Sequence, residues 1–187
     1  MRLETDKELE DYSKYYQLNY RNKSGNSKHL ELKVETLRNY KVYGIKKHEK
    51  LVGGLCLIEG KYSRSFEYLQ KIGKSDILGK MDLNKIIEIS CAFRSKEISR
   101  IRFWYRVWLP GVIRCIFSGK EIVIGTYKES GMRALYESVN PKVLHKDDYG
   151  LIYLVTGYQL FKILLNKALG LILVKETLSR KGRIKIN

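Results

Sequence analysis

Two hydrophobic periods share this chain, and the change from one to the other marks its elements. Leu9, Tyr12, Tyr16 and Tyr20 recur every three or four residues, the spacing that lines side chains along one face of a helix. They predict a helix from Lys7 to Tyr20 with Asp6 as its N-cap and Glu8 and Glu10 near its positive end. Met1 to Thr5 reads as a short strand ahead of it. From Tyr40 the run YKVYGIKKHEKLVGGLCLIEG places two apolar or alternating stretches around KKHEK, the pattern of an antiparallel hairpin with a charged turn. Gly53 and Gly54 point to a bulge in its second strand, because glycine weakens pairing unless the backbone bends there. SFEYLQKIG then reads as a short helix.

In Lys85 to Phe93, Ile87, Ile89 and Cys91 alternate with Glu88 and Ser90, the period of two expected of a strand. Ser95 or Lys96 is expected to open a helix with Ile98, Ile101, Tyr105, Trp108 and Val112 on one face and Arg100, Arg102 and Arg106 elsewhere. Pro110 should kink or end it, since proline lacks a donor and crowds the preceding turn. Glu121 to Tyr127 is a further strand and Gly131 to Val139 a helix closed by Asn140 and Pro141. LIYLV, Tyr158 to Ala168 and LILVKE complete the order as strand, helix and strand. Such an order predicts an α+β domain with helices packed on a mixed sheet.

Composition narrows the partners. The chain has 187 residues, the size of one domain, and 44% of them are hydrophobic, which sets it apart from disordered sequences. Lys and Arg number 36 against 20 Asp and Glu, giving a formal charge of +16. That excess favours a polyanion such as nucleic acid, an acidic protein or an anionic cofactor, and also arises from solubility alone. Cys56, Cys91 and Cys115 stand far apart in apolar runs with no CxxC pair, so neither a disulfide framework nor a metal site is expected. His29, His48 and His145 lie in polar stretches and read as surface residues. The polar start of the chain is unlike a secretory signal, and Gln159, Lys162, Asn166 and Lys167 interrupt the one long apolar stretch, 151–174. A cytoplasmic protein with no membrane span is therefore expected, organised as one domain over 1–174 and a basic tail over 175–187.

The order of elements resembles the GNAT acyltransferase superfamily, most sharply from Ile86 to Val143. Within it, the pieces EIS, KEIS and GTYKESGMRALYESVN are similar to the phage-type branch that includes the Mom DNA-modification enzymes and, more distantly, acyl amino acid synthases. The resemblance implies a central mixed, mostly antiparallel sheet with helices on both faces. It also implies acyl-coenzyme A as donor, acetyl-coenzyme A among the candidates, and transfer of the acyl group to an amine. In that fold IIEISCAF is the strand leading to a helix whose N-terminus receives the donor's pyrophosphate. The residues so implied for the donor are Cys91, Phe93, Arg94, Lys96, Ser99 and Arg100, and for the acceptor Ser90, Tyr127 and Glu129. Glu88 is implied as the base and Tyr136 as the acid of the transfer.

Plainer readings stand beside these roles: an exposed strand face for Glu88 and core packing for Tyr136. The turn Arg94 to Ser99 departs from the superfamily pattern by lacking glycine, so charge from Arg94, Lys96 and Arg100 must replace close backbone approach to a phosphate. Trp104, Tyr105 and Trp108 among arginines suggest either a base-stacking surface or core. Arg102, Arg106, Arg180, Lys181 and Arg183 are the candidates for nucleic-acid backbone contact. Two functions follow: an N-acyltransferase working on a polyanion-associated amine, or a nucleic-acid-binding protein that retains the fold without the chemistry.

Overall fold

In the computed structural model the described residues are 1–21, 32–127, 133–147 and 150–166. The chain opens with α1 (Asp6–Arg21) and the single-turn α2 (Val34–Leu37). Strands β1 (Lys41–Lys47) and β2 (Lys50–Glu59) form the expected hairpin. Next come α3 (Arg64–Lys71), α4 (Ser75–Leu78) and the central strand β3 (Ile86–Arg94). A long helix follows in three parts: α5 (Arg100–Phe103), a π-helical turn (Trp104–Trp108) and α6 (Leu109–Ile116). Then β4 (Glu121–Tyr127), α7 (Arg133–Glu137), β5 (Lys142–Lys146), β6 (Gly150–Val155) and a helix over 157–166 complete the described fold.

The six strands make one sheet in the order β1-β2-β3-β4-β6-β5. Every neighbouring pair is antiparallel except β3 and β4, which run parallel. The sheet is thus mixed and mostly antiparallel, with helices on both faces, as predicted. One face packs Leu55, Ile87, Ile89, Ile122, Ile124 and Tyr153 against Val107, Trp108, Val112 and Cys115 of the long helix and Leu160 and Ile163 of the last one. On the other face, Leu9, Tyr12 and Tyr16 of α1 cover Cys56, Ile58, Cys91 and Phe93. Phe66 and Leu69 of α3 continue that layer over Ile86 and Val123.

Local structure departs from expectation at several points, each with a physical cause. Thr5, not Asp6, caps α1: its Oγ1 accepts the Glu8 N–H at 3.3 Å while the Glu8 carboxylate accepts the Thr5 N–H at 3.3 Å, a capping box. Met1 to Thr5 makes a single bridge, Arg2 to Tyr43, rather than a strand. The helix after β3 opens at Ser99, whose Oγ accepts the Arg102 N–H; Ser95 instead prolongs the sheet by donating its N–H to Val52 O. Pro110 does not end this helix. In the π turn directly ahead of it, the Leu109 N–H reaches back to Trp104 O, and the wider turn makes room for the proline ring. The turn also shifts the helix phase, so Val107, Trp108, Val112 and Cys115 are buried while Ile101 and Tyr105, expected on the buried face, are 63% and 57% exposed. Trp104 stacks on Trp108 at 4.4 Å, and both belong to the core layer.

β5 was not expected. Among the described residues it is the last strand of the sheet and pairs only with β6. It also buries His145, which reads as a surface residue in sequence: the imidazole sits 3.0 Å from Asp147 Oδ2 on one side and 3.0 Å from Lys74 Nζ on the other. The expected last strand LILVKE and the 175–187 tail, with Arg180, Lys181 and Arg183, lie outside the described residues, as does Glu129.

Candidate active site where two parallel strands part

The parallel ladder between β3 and β4 is short. It runs from Ile86 opposite Glu121 to Ile89 opposite Ile124, yet β3 continues to Arg94 and β4 to Tyr127. Beyond Ile89 the two strands go separate ways, each held by its other neighbour: β3 by β2, and β4 by β6 through Gly125, Thr126 and Tyr127. The parting opens a wedge in the middle of the sheet.

A bulge lies at the same level. Gly54 pairs with Phe93 and Cys56 with Ser90, so Cys91 and Ala92 together face Leu55. Cys91 takes φ +53°, a conformation costly for a residue with a side chain. Gly54 permits the close approach: a Cβ there would meet Tyr43 O and Tyr12 Cε2 at 2.5 Å. The Tyr12 hydroxyl donates to Cys91 O at 2.7 Å and fixes the bulge from the α1 side.

The wedge has two unlike walls. Toward α1 and α3, Glu88 is 1% exposed. Its Oε2 accepts from Ser63 Oγ at 2.7 Å and from the Ser65 N–H at 3.3 Å, and its Oε1 from Ser65 Oγ at 2.8 Å. Ser63 also caps α3 by accepting the Phe66 N–H at 3.2 Å, so the carboxylate binds the start of that helix to the central strand. On the same side Arg64 Nη1 lies 3.2 Å from Cys91 Sγ, with Ser90 Oγ at 3.7 Å. The neighbouring Cys56 thiol, together with the Arg64 guanidinium, draws the Cys91 thiol below its ordinary range against the cost of burial. Burial pushes Cys56, Tyr12 and Tyr40 upward.

Toward the long helix the wall is apolar. Tyr136 of α7 packs there, its ring centroid 6.1 Å from that of Tyr153, and burial raises its phenol above the usual range. Cys115, in the same layer, is pushed by burial up to about 12. Glu88 shares its face with Val123, its direct partner on β4, and Tyr136 shares the opposite one with Ile122 and Ile124. The structure therefore sets the two implied catalytic residues on opposite faces of the sheet, not side by side.

The turn after β3 is self-contained. Arg94 Nη1 donates to Ile98 O at 2.6 Å and Ser95 O at 3.3 Å, and Ser95 Oγ accepts the Glu97 N–H at 3.2 Å. Arg94 is thus a staple of the turn, and Ser99 is the helix cap. Lys96 and Arg100 are exposed beside it. Phe93 turns away from the wedge to meet Tyr12 edge-on at 5.2 Å. Tyr127 is placed as the last residue of β4, opposite Gly150. On the long-helix side, Lys46, Lys47, Glu97, Ile98, Arg102 and Arg106 line a recess of about 90 Å³.

Sequence reading did not find Ser63, Arg64, Ser65 or the Cys56 to Cys91 contact. Ser63 ahead of an apolar helical run is an N-cap signal, but its pairing with a glutamate 25 residues later is visible only in the fold.

No protein-family model matches the sequence, and no curated protein matches it. Among solved structures, the chain is similar to FeeM, an N-acyl amino acid synthase from uncultured soil microbes (TM-score 0.63, 10% identity, 86% of this chain and 91% of that one). It is also similar to MesI, a coenzyme A-dependent acyl-homoserine lactone synthase (0.52, 13%, 83% and 87%), and to an N-acetyltransferase from Staphylococcus aureus (0.52, 13%, 84% and 98%). The chain has the fold of the GNAT acyltransferases.

Proposed function

We propose that this protein is an N-acyltransferase that takes its acyl group from an acyl-coenzyme A, acetyl-coenzyme A among the candidates, and seats it where β3 and β4 part. The observation that carries this reading is the end of the parallel ladder at Ile89 and Ile124, with a helix starting just past the end of β3. When bound, the donor supplies an activated thioester carbonyl. An extended arm would run along the edges freed where β3 and β4 part, and the turn beyond them suits phosphates by charge: it spends the Glu97 and Arg102 amides on its own hydroxyls and the Ser95 amide on Val52, and leaves Lys96 and Arg100 to neutralise an anion. Arg94 and Ser99 hold this turn in shape, and Cys91 and Phe93 line the α1 side of β3.

Tyr136 gives a proton to the departing sulfur. Burial keeps its phenol protonated, and its hydroxyl makes no hydrogen bond to a described residue. Glu88 acts as a positioning residue, since both oxygens are engaged by Ser63 and Ser65 and fix α3 on β3. Ser90, Tyr127 and Glu129 belong to the acceptor side of this reading. Titration with acyl-coenzyme A compounds from acetyl to long-chain, followed by thermal shift, tests the proposal. A rise in melting temperature with at least one donor is expected, and no shift with any of them overturns it.

The recess supports a second reading. Arg102 and Arg106, four residues apart on one helix, join Lys46 and Lys47 around it, a basic surface suited to nucleic-acid phosphates, as in a Mom-like acceptor or a non-catalytic binder. Here DNA or RNA binds with affinity that falls steeply as salt rises; binding without donor response selects the non-catalytic form.

A further inference from the structure

Of the three cysteines, two share one environment and the third has another. Cys56 on β2 is the Cα partner of Ser90, and the bulge turns the next residue, Cys91, into the same layer beneath α1. Cys91 thus stands one residue along (about 3.3 Å) and one strand across (about 4.8 Å) from Cys56, roughly 6 Å between Cα atoms and within the range that disulfides span. The two thiols are near enough for each to shift the ionisation of the other. Arg64, with Nη1 3.2 Å from the Cys91 sulfur, favours negative charge on it. Cys115 lies on the other face in an apolar layer, with no such neighbour among the described residues.

We propose that Cys91 and Cys56 form an oxidation site for hydrogen peroxide or a small organic peroxide, which converts the pair into a disulfide between β2 and β3. The Cys91 sulfur attacks the peroxide oxygen, the O–O bond breaks, and sulfenic acid and water form for hydrogen peroxide, or sulfenic acid and an alcohol for an organic peroxide. The Cys56 sulfur then attacks the sulfenic sulfur and expels a second water. In sum, two thiol hydrogens and two electrons pass from the cysteines to one peroxide. Entry of a small oxidant is from the wedge side, where β3 beyond Ile89 is not laddered to β4. The reaction is independent of acyl transfer and needs no donor.

The test is peroxide treatment of the reduced native protein, followed by denaturation, thiol counting, intact mass and peptide mapping. Free thiols fall from three to one, the mass drops by two hydrogens, the Cys56 and Cys91 peptides appear linked, and dithiothreitol restores all three thiols. Cys115→Ser still forms the link. In Cys56→Ala, Cys91 instead gains oxygen atoms. Retention of all three thiols in the native protein, oxygen addition at Cys91 without a link, or loss of Cys115 in place of the pair overturns the proposal. Because mapping of the unmutated protein decides the matter, a variant that fails to fold does not.

Discussion

The two faces of β3 show how differently one strand can be used. Toward α1 and α3 it presents Glu88 and Cys91 to hydroxyls, an arginine and a second thiol. Toward the long helix it presents Ile87 and Ile89 to Val107, Trp108 and Val112. Burial is similar on both sides, but the polar face depends on every donor keeping its acceptor, whereas the apolar face depends on volume alone. The difference teaches that position on a central strand does not make a carboxylate a base. Glu88 is as buried as its apolar neighbours because it finishes the hydrogen bonding of α3.

This contrast can be broken by substitution. The largest effect is expected for Glu88→Ala, which strands the Ser63 and Ser65 hydroxyls and should lower unfolding free energy by about 3 kcal/mol in urea titration. Glu88→Gln should recover much of that loss; equal losses in the two would mean that hydrogen bonding does not govern this face. On the apolar face Val112→Ala should cost about 2 kcal/mol as a simple cavity. A cost there above that of Glu88→Ala would reverse the comparison.

Next in size is the cap of α1, the helix that covers the polar face. Glu8 is held down to about 2 by the Glu4 N–H first, then Lys46 and the Thr5 N–H. With the folded value below the ordinary 4.5, its contribution is present above that pH and lost as pH falls toward 2. Glu8→Ala should cost about 1 kcal/mol at neutral pH and flatten the acid limb of the stability curve measured across that range. Smallest in stability is Tyr136→Phe, expected to change it by less than about 0.5 kcal/mol while lowering kcat of the proposed transfer. A variant that unfolds, or one that turns over normally, removes Tyr136 from the proton-donor role.

Much of the frame was legible because alternation and helical spacing are local. β3, β4, the hairpin and α1 each declare themselves within a short continuous stretch of chain, from the seven residues of β4 to the sixteen of α1 and the span Lys41 to Glu59 of the hairpin. β5 escaped because it is a short strand of five residues, KVLHK, in which lysines and a histidine outnumber apolar positions. The helix start at Ser99 and the exposure of Ile101 and Tyr105 escaped because the π turn resets the phase in a way that periodicity does not encode. At the site, the charge of Lys96 and Arg100 is legible in the residues themselves, whereas the point where β3 and β4 part is set by which neighbour each strand pairs with beyond Ile89 and Ile124. The engagement of Glu88 by Ser63 and Ser65, and of Cys91 by Arg64 and Cys56, rests on strand register across more than 20 residues, and a bulge decides it.

The one parallel pair among the described strands also has a meaning for how the chain assembles. β1 to β3 and β4 to β6 are each built from antiparallel neighbours close in sequence, apart from the excursion through α3 and α4. They are welded by four residue pairs alone, Ile86 to Ile89 with Glu121 to Ile124. That weld cannot close until the 26 residues between β3 and β4, long helix included, have folded back across the sheet. Folding should therefore proceed as two early halves and one late seam. In the native protein the amides of that seam should open to hydrogen exchange with less free energy than those of β2, making the middle of the sheet, rather than its edges, the line along which the molecule first comes apart.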